Sequence, residues 1–298
     1  EEEARRTVSV QPGTDRVRRF LLEEHPIRGQ LVQLESSWAA LREHAIYPAP
    51  VRDLLGEATA AAVLLASTLK FDGSLTLQMQ GDGAVRLLVA QCTHDFRIRS
   101  VAHFDAGRVA PAFAQLAGSG RIAVTVESIG RGAPYQGIVP LVGASLAECI
   151  DGYFATSEQL PTHVRLAADA TRAGGLLVQR LPGAEESAAW ERLREHAAGL
   201  DAHGLLYAAP ATLVQRSASI DDVRLFAGST ESFECRCSRD RVLGGLRSLG
   251  GDEVQDVLRE QGKVTVTCDF CHRPYVFDAI DVAQAFGPPG VPAPRGIN

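Results

Sequence analysis

No apolar run in this chain reaches the ~18 residues that a membrane-crossing helix requires. The longest candidate, ATAAAVLLASTL from Ala58, is short and alanine-rich and reads as a buried helix. The first residues, EEEARRTVSVQPG, lack the basic-then-apolar order of a secretory signal, and the chain begins without methionine. A reducing cytoplasm is the expected setting, with no membrane partner. Cysteine is scarce, six in 298 residues. In a reducing compartment a spaced cysteine set points to metal or redox chemistry rather than to structural disulfides. Nucleotide motifs are missing: GDGAVR from Gly81 supplies two glycines of a dinucleotide loop, and no Gly-Lys-Ser/Thr occurs. The formal charge of −6 argues against nucleic acid as a main partner. Scattered carboxylates such as Asp151 and Glu158 form no recognisable acid–base pair, so no enzyme activity is expected.

What is present divides into three regions and a tail. Residues 14–184 read as an N-terminal mixed α/β domain within an α+β protein. Pro50 suits the first turn of a helix whose Val51, Leu54, Leu55 and Ala58 share one face. The period then switches: in GSLTLQMQGDG, Leu75, Leu77 and Met79 alternate with Thr76, Gln78 and Gln80, as on a half-buried strand. AVRLLVAQC, FRIRSVAHF, RIAVTVESI, HVRLAA and GLLVQRL read as further strands between turn signals. Ser145 and Glu148 form a capping box before Leu146, Cys149, Ile150, Tyr153 and Phe154, which fall on one helical stripe. Strands alternating with helices of this kind favour a sheet with helices packed on it. SEQLPT then ends that helix and reverses the chain at Pro161.

Residues 185–231 change character. AEESAAWERLREHAAGL is an amphipathic helix carrying Trp190, Leu193, Ala197 and Leu200. The following HGLLYAAPATLVQRSASIDDVRLF is patchy and interrupted by Pro210. This helical linker has no cap as good as Ser145 or Asp252 provides, so it depends on packing against neighbours. Its apolar residues Trp190, Leu193, Leu205, Leu206, Leu225 and Phe226 would form an apolar binding surface if that packing were lost. Residues 287–298, GPPGVPAPRGIN, read as a disordered tail.

Residues 232–286 hold the remaining signal. FECRC places Phe233, Cys235 and Cys237 at alternate positions, which on a strand point to one side. VTVTCDFC does the same for Val264, Val266 and Cys268, and Cys271 closes a Cys-x-x-Cys turn. Two helices are expected between the pairs. One has Ser238 as N-cap and Gly250 near its end; the other has Asp252 as N-cap, Gln255 as capping-box partner and Gly262 as its stop. Strand, two helices and strand would gather four thiols. Four thiolates in two pairs match a tetrahedral structural zinc site. Closing the loop costs about 3 kcal/mol, against roughly 10–16 kcal/mol from zinc in such sites. Free thiols or a Cys-x-x-Cys oxidoreductase site are the alternatives. The second is weakened because Pro274 and a strand pattern follow, where a redox motif should open a helix. His272 could replace a ligand, but four cysteines already fill the shell. Cys92 and Cys149 sit in apolar contexts and are expected to be buried, inert thiols. Sulfurs on one zinc lie roughly 3.8 Å apart, whereas a disulfide needs ~2.05 Å, so oxidation of a pair removes two ligands.

These residues resemble the redox-regulated 33 kDa heat-shock chaperone family. The similarity rests on FECRCSRDRV, LGGDEV and VTCDFCHRPYVFDAIDV, on YFATSEQLPT from Tyr153, and on two stretches from Tyr47 and Gly137. The resemblance implies an N-terminal domain, a helical linker and a small C-terminal zinc domain. It implies one zinc per chain, held in the reduced, inactive state by Cys235, Cys237, Cys268 and Cys271. Oxidation is implied to form Cys235–Cys237 and Cys268–Cys271 disulfides, release zinc, unfold the C-terminal region and linker, and yield a homodimer. That form is implied to hold unfolding client proteins without nucleotide, as a response to oxidative stress. A zinc module that binds nucleic acid is the reading of another class, and a thiol oxidoreductase the third.

Overall fold

The computed structural model describes residues 15–23, 25–43, 45–130, 133–182, 188–218, 223–235 and 237–286. The tail expected at 287–298 lies outside them. The chain forms two compact units, Glu1–Glu234 and Cys235–Asn298.

The strands of the first unit are β1 (Arg16–Leu22), β2 (Ile27–Leu34), β3 (Gly73–Gly81), β4 (Val85–Thr93), β5 (Arg97–Phe104), β6 (Gly120–Ser128), β7 (Tyr135–Pro140), β8 (Thr162–Ala168), β9 (Ala173–Arg180), β10 (Val223–Leu225), β11 (Ser229–Thr230) and β12 (Ser232–Phe233). One sheet runs β10-β1-β2-β9-β8, with β11 also on β1; the other runs β12-β5-β4-β3-β6-β7. All pairs are antiparallel except β12 on β5. The strands read from alternation are present. β1, β2 and β7 carry no clean alternation and were not among them.

The helices of this unit are α1 (Ser36–Arg42), α2 (Ala49–Thr68), α3 (Phe113–Ala117), α4 (Leu146–Tyr153), α5 (Ala188–Ala198), α6 (Ala202–Tyr207) and α7 (Pro210–Ala218). The twenty-residue α2 packs against strands of both sheets. Its alanine-rich second half is buried all round, as a helix between two apolar faces must be. Small side chains allow the close approach. At Gly56 a Cβ would come within 2.5 Å of the Ala168 Cβ and 3.1 Å of the Trp38 ring. The hydroxyl of Thr59 donates within the helix to the Leu55 carbonyl (2.7 Å) and meets Ser100 of β5 at 2.8 Å. Asp15 caps α1 from outside the helix: its carboxylate accepts from the amides of Glu35, Ser36 and Ser37.

At α4 the Ser145 hydroxyl accepts from the Glu148 amide (3.2 Å), and the Glu148 carboxylate reaches the Ala144 amide (2.8 Å), one residue further back than a standard capping box. The helix continues as a π-helical turn over Phe154–Glu158 and ends on Gln159 in the left-handed region, φ 54°.

The stretch 185–231 contains three helices, α5, α6 and α7, followed by β10 and β11. The helices lie on the face of the first sheet opposite α2. There Trp190, Leu193, Leu205 and Leu206 join a core with Phe20, Ile27, Leu31 and Val178. Pro210 interrupts the segment as expected: α6 ends at Tyr207 and the proline opens α7, because a first-turn proline gives up no hydrogen bond. The Asp201 carboxylate caps α6, accepting from the Gly204 amide at 2.6 Å. From β11 the chain crosses to the other sheet through Glu231, 3% exposed.

In the second unit α8 (Arg239–Leu249), α9 (Gly251–Gln261), the hairpin β13 (Val264–Thr267) and β14 (Pro274–Phe277), and α10 (Ala279–Phe286) surround Leu246, Val254, Val264, Tyr275, Phe277 and Val282. Ser238 caps α8, its hydroxyl accepting from the Arg241 amide. Gly262 stops α9 with φ 71°. The N-cap expected at Asp252 is not formed. Gly250 takes φ 108°, a conformation open to glycine, so α9 restarts at once and Asp252 falls in its first turn. There its charge still favours the helix N-terminus.

Leu64, 1% exposed within α2, tests the sandwich. Leu64→Ala should destabilise the first unit by about 2–5 kcal/mol in chemical denaturation. A loss below about 1 kcal/mol would contradict burial between two sheets.

Candidate metal and redox centre

The Cys-x-x-Cys pair sits at the tip of the β13–β14 hairpin. The Cys268 amide donates to the Arg273 carbonyl (3.0 Å), and the His272 amide donates back to the Cys268 carbonyl (2.8 Å). His272 takes φ 52°, which tightens the reversal. Cys235 and Cys237 lie in the irregular segment before α8. The one-sided strand expected there is corrected: β12 ends at Phe233, whose pairing with β5 belongs to the first unit. Beyond Glu234 the chain leaves that sheet, and convergence rather than strand alternation directs the two thiols.

The four sulfurs come together. Cys235 and Cys268 are 3.6 Å apart, Cys237 and Cys271 3.4 Å, and all four lie within 4.8 Å of one another. Each residue is half-buried. Thiolate sulfurs around one tetrahedral metal sit at about this spacing, and four soft donors suit zinc chemistry. The donor set therefore fits a metal ion. His272 is outside the cluster.

Tyr275 was not singled out from the sequence. Its hydroxyl donates to the Cys237 sulfur at 3.0 Å. Only its place four residues past Cys271, on the strand that follows the Cys-x-x-Cys turn, could have signalled it. Burial pushes the Cys237 thiol up, but the Tyr275 hydrogen bond and the neighbouring thiols outweigh burial and hold it down at about 7. At Cys235 burial dominates and the thiol is pushed far up; at Cys271 burial also raises it. The Cys237 sulfur is thus readier to ionise than those of Cys235 and Cys271, and a thiolate is the nucleophile in disulfide chemistry.

The remaining named residues lie elsewhere. Cys92 and Cys149 are 0% and 1% exposed, both raised by burial. Trp190, Leu193, Leu205 and Leu206 are buried against the first sheet, Leu225 is half-buried on β10, and Phe226 is 37% exposed. These six belong to the first unit, apart from the sulfurs.

Fold and site define an α+β protein of two units with a four-cysteine centre in the smaller one. A family model described as Hsp33 protein matches residues 15–278. The chain is 43% identical to the 33 kDa chaperonin of Nitrosococcus oceani, over 91% of this chain and 94% of that one. It is 42% identical to the 33 kDa chaperonin of Pseudomonas savastanoi pv. phaseolicola, over 95% and 97%. The crystal structure of the 33 kDa chaperonin (heat shock protein 33 homolog) from Thermotoga maritima superposes with a TM-score of 0.78 at 25% identity, covering 91% of this chain and 97% of that one. The chain belongs to the Hsp33 family, as the resemblance in its sequence implied.

Tyr275→Phe isolates the hydroxyl. In metal-free reduced protein the apparent pKa of Cys237, read from its alkylation rate against pH, should rise by about one pH unit, the size of one lost charge-assisted hydrogen bond. An unchanged profile would remove Tyr275 from the centre's electrostatics.

Proposed function

We propose that this protein is a redox-gated, nucleotide-independent holdase, a chaperone that binds unfolding proteins and does no catalysis. The observation that carries this reading is the cluster of four thiols in a unit with a small apolar core. Six buried apolar residues make up its core cluster among the described positions, a core of the size that small domains supplement with metal or disulfides. Zinc, held by Cys235, Cys237, Cys268 and Cys271, would cross-link the hairpin tip to the segment before α8. The residues themselves supply the switch. Cys237, whose thiol is held down beside Tyr275, would attack or be attacked first. Pairing of Cys235 with Cys237 and of Cys268 with Cys271 would give two electrons per disulfide to an oxidant such as peroxide. Each disulfide withdraws two thiolates from the donor set, and the second unit loses its main cross-link.

The client surface is proposed on 185–231. Trp190, Leu193, Leu205 and Leu206 stay covered while α5–α7 remain docked on the first sheet. The strands after them are short: three residues in β10, and two each in β11 and β12. So few ladder bonds make this the low-stability end of the first unit. Its release would expose those residues with Leu225 and Phe226, an apolar surface suited to unfolded chains or to a second oxidised copy. A cytoplasmic setting, where thiols are reduced until stress, is part of this reading.

Reduced protein should bind one zinc per chain by elemental analysis, and Cys235→Ser or Cys268→Ser should lose it. Oxidised protein should suppress aggregation of a chemically unfolded enzyme without added nucleotide, and reduced zinc-loaded protein should not. Equal activity in both states would leave the cysteines a structural role only.

Hydrogen exchange addresses the surface. Protection from Trp190 to Phe226 should collapse on oxidation while Ser145 to Phe154 stays protected. Loss confined to residues 235–286 would move client binding elsewhere.

A further inference from the structure

At the last turns of α2 a cavity of 610 Å³ opens in the first unit, with strands of both sheets in its lining. Arg28 of β2 and Gln179 of β9 come from one sheet, Leu75 of β3 and Val124 of β6 from the other. A further wall is the motif YFATSEQLPT, to which the redox reading assigns no role. It supplies Tyr153, Phe154, Glu158 and Leu160. Over Phe154–Glu158 this wall is the π-helical turn, a local widening of the helix that recurs at functional sites.

The floor is apolar: Leu65, Leu75, Val124 and Phe154 line it, each 4% exposed or less. Among the described residues the lining has two cations, Arg28 and Lys70, and one carboxylate, Glu158. Glu158 is engaged, its Oε1 accepting from the hydroxyls of Tyr153 (2.8 Å) and Tyr135 (3.3 Å). Arg28 is half-buried and spends its bonds on a neutral group: Nε (2.9 Å) and Nη2 (2.5 Å) both donate to the Gln179 Oε1. Its Nη1 makes no such bond and is not among the sealed, unpartnered atoms of the described residues, so it is accessible. Burial and the charge of Arg19 both press against the Arg28 cation, and no carboxylate offsets them. A cation drawn partly out of water ordinarily has an anion beside it. Lys70 is exposed at the rim, and one positive charge is left over once Glu158 is counted.

The floor favours a ligand with no polar groups along its length. A peptide backbone laid on it would leave N–H and C=O groups unpaired, at a cost; an alkyl chain has none. We propose that this cavity binds a medium-chain alkyl carboxylate, its chain over Leu75, Val124 and Phe154 and its carboxylate on Arg28, with Lys70 at the rim. The guanidinium keeps its bonds to Gln179 and offers Nη1 to the ligand, a charge-assisted contact. Glu158 stays with its two tyrosines and ties the π-helical turn to β7, so that wall is set before the ligand enters. No cysteine lines the cavity, so this assignment and the redox reading stand or fall separately.

Calorimetric titration of the full reduced chain tests it, with decanoate, decanol and acetate as probes. Decanoate should bind saturably and shift the methyl resonances of Leu75 and Val124. Decanol keeps the chain and lacks the charge, and should bind about tenfold more weakly, the size of a charge-assisted contact. Acetate lacks the chain and should show no saturable binding. Arg28→Gln should weaken decanoate about tenfold and leave decanol unchanged. Lys70→Gln, at an exposed position where folding is not at stake, should weaken decanoate about threefold. Equal affinity for decanoate and decanol, wild-type affinity in a folded Arg28→Gln or in Lys70→Gln, or no saturable binding of decanoate overturns the proposal. An uncharged apolar peptide that binds more tightly and moves the same methyls also overturns it, and gives the floor to polypeptide instead.

Discussion

Two antiparallel sheets each present an apolar face, and one helix, α2, covers both. Residues from Val51 to Ala66 on this helix share a core with Val32 and Leu177 of one sheet and with Leu77, Leu88 and Ile98 of the other. That single burial fixes where the remaining parts can go. The outer face of the first sheet is left to α5–α7. The crossing at Glu231 joins the two sheets just ahead of the second unit.

The two units rest on different balances. The first buries a large apolar core and gains its order from packing. The second has a small core, and its cysteines lie within reach of one another at its edge. Burial pushes the thiols of Cys235 and Cys271 up, whereas Cys237 is held down beside Tyr275. The cluster of four thiols therefore sits where the hydrophobic reserve is smallest. The helices proposed to carry clients sit where pairing is shortest.

Legibility in the sequence followed periodicity. β3 was plain because Leu75, Leu77 and Met79 alternate with polar residues on a half-buried surface. β1 was hidden because its sheet is covered on both faces: Val17, Arg18, Phe20 and Leu22 are all buried, and the period of two is lost. Caps written in local chemistry, Ser145 and Ser238, were readable. Asp15 was not, because it caps α1 from twenty residues away. Asp252 misled because Gly250 starts α9 early.

The sequence by itself determined the family, the alternating strands, the buried alanine-rich helix and the four thiols, since all of these are carried by residue type at fixed spacing. The tertiary structure alone decided which faces meet. It set the linker helices on the first sheet and brought Tyr275 to Cys237. Those outcomes depend on contacts between residues far apart in the chain, for which local spacing carries no signal.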